Sequence, residues 1–87
     1  MTDLLEFIIT PLLSDKEALQ IKESRDDFGT ATYTITVDPV DYGMVIGKRG
    51  KIIRAIRTAA RVRAIQDHTN VTIRLDSEND SFIKPSL

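Results

Sequence analysis

Hydrophobic and polar positions change period several times along the 87 residues. Leu4, Leu5, Ile8, Ile9 and Leu12 recur at helical intervals behind Asp3-Leu4-Leu5-Glu6, which has the spacing of an N-cap and an acid at the third helical position. Pro11 would remove a bond and clash with the carbonyl of Phe7, so this first helix is expected to kink or end near Thr10. Leu19 and Ile21 alternate with Gln20 and Lys22, a short strand signal. A polar turn at 25–29, with Gly29 free to take positive φ, separates it from Thr30-Ala31-Thr32-Tyr33-Thr34-Ile35-Thr36-Val37. There four apolar residues share one face and four threonines the other, the pattern of a half-buried strand. The two strands are expected to form a hairpin.

Asp38-Pro39 reads as an N-cap followed by proline at the first helical position, opening a short helix through about Met44. Gly47-Lys48-Arg49-Gly50 interrupts it. From Lys51 the period is strongly helical, with Ile52, Ile53, Ala55, Ile56, Ala59 and Ala60 on one arc and Lys51, Arg54, Arg57, Thr58 and Arg61 on the other. Arg63 falls inside the apolar arc and is expected at a frayed end or snorkelling to water. After a polar turn at 66–70, Val71 to Leu75 alternate as a last strand. Residues 77–87 lack a period and read as a flexible tail behind a single domain at 1–76, with Phe82 and Ile83 able to dock. A strand, a helical connection and another strand predict a right-handed crossover onto the same sheet. The expected fold is therefore two-layer α+β, helix-strand-strand-helix-helix-strand, with three helices covering one face of three strands.

Charge alters this picture more than composition does. The net charge is −1, yet residues 42–66 contain no acid and hold seven of the twelve lysines and arginines. That segment carries +7 and the remainder −8, a basic stripe on an acidic body, which focuses an anion at one place. An ordinary solvated helix face mixes signs, and like charges spaced this way repel unless an anion is expected. There is no cysteine, hence no disulfide or thiolate site. No apolar run approaches the roughly 18 residues of a membrane span, and the N-terminus has no basic region of a signal peptide, so a cytoplasmic location is expected.

Two glycines in a helix-to-helix turn have a sufficient structural explanation in positive φ. The two long cations between them do not. Bare backbone at the start of a helix, rimmed by cations, suits a phosphate. Gly43 to Lys48 is one residue short of a nucleotide phosphate loop, with Arg49 in place of its hydroxyl, and Gly43/Gly47 carry weak evidence for helix pairing. Catalysis has little material: His68 is the one histidine and lies in a turn, and Asp26-Asp27 read as turn acids. No metal, cofactor or enzymatic activity is expected.

The stretch VIGKRGKIIRAI resembles the V-I-G-x-x-G-x-x-I-x-x-I core of the KH RNA-binding domain, and the element order is that of its type II arrangement. LLEFIITPLL, the threonine strand, VDYGMVIGKRGK and AIRT together resemble the small bacterial single-KH proteins of the KhpA type. The resemblance implies a groove gripping about four nucleotides of single-stranded RNA. Carried over by position, it places Gly47, Lys48, Arg49 and Gly50 against the sugar-phosphate chain, Ile46 and Ile53 under the bases, and Val71 to Ile73 along the far side. Val45, Lys51, Arg54 and Arg57 complete the expected contact set. Single-stranded DNA differs only in 2′-hydroxyl contacts. The resemblance further implies self-pairing, or pairing with a larger Jag-type KH protein, and a role as an RNA chaperone or post-transcriptional regulator connected with cell elongation and division. An interaction subunit, acting chiefly through the apolar part of the helix at 51–65, is the alternative reading.

Overall fold

The computed structural model describes residues 1–76, so the expected tail and the docking of Phe82 and Ile83 lie outside the described residues. Helix α1 spans Thr2–Ile9 and passes directly into a 3₁₀ turn at Thr10–Leu12, where Pro11 ends the α-helical bonding. Asp3 is not its N-cap. Met1 takes that position, and Asp3 lies in the first turn, where its carboxylate accepts the Leu4 N–H at 2.9 Å.

Strand β1 runs over Gln20–Arg25 and β2 over Thr30–Thr36, paired antiparallel from Gln20↔Thr36 to Arg25↔Ala31. The connecting turn is organised by Asp26, whose carboxylate accepts the N–H groups of Phe28 and Thr30 at 2.8 and 2.9 Å, while Gly29 takes φ +85°. A 3₁₀ turn at Pro39–Asp41 follows, capped by the Asp38 carboxylate on the Val40 N–H at 3.0 Å, and leads into α2, Tyr42–Ile46. Helix α3 covers Lys51–Gln66, and β3, Asn70–Asp76, lies parallel to β2 with Tyr33 opposite Ile73. The sheet order is β1-β2-β3, so the threonine strand is central and the crossover places β3 on an outer edge. The α+β, type II order expected from the pattern is the order observed.

Ala31, Tyr33, Ile35 and Val37 form the sheet side of the core. Leu5 and Ile9 of α1, Val45 of α2, and Ile53, Ile56 and Ala60 of α3 close over them. The alternation on β2 is complete, buried on one face and half-buried on the threonine face. Along α3 the buried arc is Ile53, Ile56, Ala60 and Ala64. Ala55 is exposed and Ile52 and Ala59 are only half-buried, because the short α1 and the strands cover a narrower arc than the sequence's apolar stripe. Arg63, half-buried near the end of α3, reaches Asp67 one turn on, with Nε 3.3 Å from Oδ2. No helix among the described residues is long and apolar enough to cross a membrane.

Candidate nucleic-acid interface

The bend between α2 and α3 follows from three residues with positive φ among four. Gly47 terminates α2 at φ +77°, ψ 173°, its N–H bonded to Gly43 O at 2.8 Å. Arg49 is left-handed at φ 56°, ψ 27°, and Gly50, at φ 75°, ψ 17°, becomes the N-cap of α3. A bond from Gly50 N to Gly47 O, 3.1 Å, closes the turn. At Gly47 the constraint is steric as well as torsional: a Cβ there would lie 2.6 Å from Ile52 Cγ1 and 2.8 Å from Ile52 N. At Gly50 a Cβ would meet only Ile53 Cγ2, at 4.0 Å, so φ alone favours glycine.

Lys48 and Arg49 are both exposed at the apex. No side chain caps the start of α3. The Lys51 N–H bonds to Lys48 O within the turn, and the helix start that follows lies beside two cations, an arrangement complementary to an anionic backbone. The bend is held from two sides. Arg54, one turn into α3, returns its guanidinium to the bend and donates from Nη2 to Arg49 O at 2.8 Å. On the other side, the Asp41 carboxylate at the foot of α2 is 4 % exposed and accepts from Ser14 N at 3.0 Å, Ser14 Oγ at 2.7 Å and Asp15 N at 3.1 Å. These bonds, the Ser14 amide foremost, hold its carboxyl below the usual range. Asp41 had no signal in the sequence beyond being an acid before a helix, since its donors are 26 and 27 residues away.

Further along α3 the helix and the outer strand enclose a hollow. Its narrow part, about 160 Å³, is lined by Arg57, Arg61, Val71, Thr72 and Ile73. A wider part of about 350 Å³ continues past Ala64 and Ile65 to Thr69 and Asn70. Arg57 spans it, donating from Nε to the backbone carbonyl of Ile73 at 3.2 Å.

The expected contact set is therefore brought together in part. Gly47, Lys48, Arg49, Gly50 and Lys51 form the bend, and Arg57, Val71 and Ile73 form the hollow about two helical turns away, with Arg54 between. Val45 does not belong to a surface: it is 0 % exposed and supports the bend from inside the core. Ile53 is buried as well, so the half-buried apolar side chains next to the glycines are Ile46, from the expected set, and Ile52. Arg54 and Arg57, both in the expected contact set, each hold a backbone acceptor, Arg49 O and Ile73 O. Thr72, within the stretch expected along the far side, lines the hollow too, as does Arg61, one turn beyond Arg57 on the same basic face.

Comparison with known proteins agrees with this geometry. The model of the KhpA/KhpB KH domain matches residues 2–76. The chain is 36 % identical over 80 residues to the RNA-binding protein KhpA of Chlamydia caviae, covering 92 % of this chain and 99 % of that one. It is 38 % identical over 76 residues to the protein of the same name from Oceanobacillus iheyensis, covering 87 % and 97 %. Against that of Listeria monocytogenes it is 37 % identical over 76 residues, covering 87 % and 96 %. With a glycine-bracketed bend, a type II element order and similarity along nearly the whole described length, the chain belongs to the KhpA/KhpB KH-domain family.

Proposed function

We propose that the protein binds short segments of single-stranded RNA without catalysing a reaction, the phosphates lying on the bend at Gly47–Gly50 and the bases entering the hollow between α3 and β3. The observation that carries this reading is the bend itself. Two exposed cations stand beside the start of α3, where Gly50 carries no Cβ and the space in front of it is open, so a backbone can approach closely. Relatives named as RNA-binding proteins support the same reading. The cellular role we assign is that of an RNA chaperone or post-transcriptional regulator in the cytoplasm, connected with cell elongation and division.

Neutralising three or four phosphates gives a slope of log affinity against log salt of about −2 to −3, a loss of about 20- to 50-fold between 50 and 200 mM salt. Fluorescence anisotropy with a labelled RNA octamer across that range measures it. A slope near zero would refute phosphate binding at the bend.

A second reading has its own observation. Val62 and Ile65 on α3 are 52 % and 66 % exposed, an apolar patch suited to pairing with a second copy or with a larger Jag-type KH protein. Running the titration on separated monomer, dimer and mixed-complex fractions decides its weight: binding by the mixed complex alone would make this chain chiefly an interaction subunit.

A further inference from the structure

The outer edge of β3 presents an unusual arrangement of donors and acceptors. An edge strand normally offers alternating N–H and C=O groups, so a flat ring bearing an acceptor beside a donor can pair with both groups of one residue. Ile73 O points off this edge, since Arg57 reaches it from α3, and the N–H of Ile73 shares that side. The bond from Arg57 Nε takes one of the two lone pairs of the carbonyl and fixes the guanidinium. A guanidinium has five N–H donors and no acceptor, so its two terminal nitrogens remain as a fork beside the Ile73 N–H. No acid lies in the sequence between residues 42 and 66 to divert that fork, and Arg61, one turn on along the same helix face, lines the same 160 Å³ hollow.

From this we infer that the hollow is a base-selecting subsite that takes a base presenting two adjacent acceptors, with Arg57 as its specificity-determining residue. The inference rests on the RNA-binding reading and deepens it. Guanine offers O6 and N7 side by side, and cytosine O2 and N3; either accepts two parallel N–H bonds from the guanidinium fork. Adenine sets an acceptor beside its N6 amino donor on both accessible edges. Its donor would face the second N–H of the Arg57 fork, a donor set against a donor. Discrimination against adenine thus arises from an unpaired donor as much as from a favourable pair. The side chains of Val71 and Ile73, on the helix-covered face of β3, close the hollow from below and leave the ring an apolar side to lie on.

The test is fluorescence anisotropy with labelled uridine octamers carrying one central cytidine, guanosine or adenosine, on the wild-type chain, Arg57→Lys and Arg57→Met. Arg57 is exposed, and a melting curve for each variant verifies the fold. The wild type is expected to bind the cytidine and guanosine octamers about tenfold more tightly than the adenosine octamer. Arg57→Lys keeps the charge and loses the fork, so the ratio of its affinities for the cytidine or guanosine octamer over the adenosine octamer falls to about one. Arg57→Met removes the donors that oppose the N6 amino group, and the penalty against adenosine disappears as well. Equal affinities for the octamers in the wild type, a preference for adenosine, or a preference that survives both substitutions would overturn the inference and leave RNA binding standing. Failure of the wild type to bind any octamer would overturn the RNA-binding reading, and this one with it.

Discussion

Gly47 and Gly50 occupy equivalent places in the motif under different physical constraints. At Gly47 any side chain collides with Ile52 besides adopting an unfavourable φ, and Ile52 N is backbone of α3 that cannot retreat without moving the helix. At Gly50 there is space, and only the left-handed conformation is at stake. Gly50→Ala is therefore expected to cost about 1 kcal/mol, and Gly47→Ala clearly more, in chemical denaturation monitored by circular dichroism. Equal losses would contradict the steric account. The motif's existence was legible in the sequence, and so was the need for backbone freedom. The difference between its two glycines was not, because it depends on which way Ile52 points once α3 has formed. The same limit applies to Arg54 and Arg57: their spacing marked one helix face, but their acceptors, Arg49 O and Ile73 O, are backbone groups that exist as targets only after the bend and the edge strand are in place.

Among the elements, those with a strong period were legible and those defined by a neighbour were not. Strand β2 and helix α3 carry enough apolar alternation to declare themselves, and the helical crossover between β2 and β3 implied their parallel pairing. Strand β1 extends to Arg25, well past Ile21, although its outer residues are exposed. It is formed by the hydrogen-bonding edge that β2 offers, a cause absent from its own pattern. The 3₁₀ turn at Lys16–Ala18 likewise gave no periodic signal. The attachment of that loop to α2 through Asp41 sets an element-scale prediction. Because the folded pKa of Asp41 is lowered, its stabilisation is complete above the unfolded value near 3.8 and is lost as pH falls through the lower folded value. Asp41→Asn should lower the melting temperature at pH 7, since an amide keeps one oxygen and puts a donor in place of the other, leaving either the Ser14 donors or the Asp15 N–H without an acceptor. The gap between variant and wild type should narrow as the pH is taken below 3.8. A gap independent of pH would show that the carboxylate charge is not what ties the loop to α2.

Across the whole molecule, the separation of charge gives the fold a direction. The segment carrying +7 supplies the bend and the helix that follows, while the −8 of the remainder makes other faces unattractive to a polyanion. Exposed Phe7 and Phe28 lie on α1 and at the tip of the β1–β2 turn, outside that basic segment. The account's central claim is that the bend's cations serve an anionic strand and not the fold, and replacing both Lys48 and Arg49 with Asp tests it most directly, with RNA affinity by anisotropy and the melting temperature measured on the same preparation. The account predicts binding reduced beyond detection and a melting temperature close to that of the wild type, since both side chains are exposed. Retained affinity, or loss of affinity only in step with loss of fold, would contradict it.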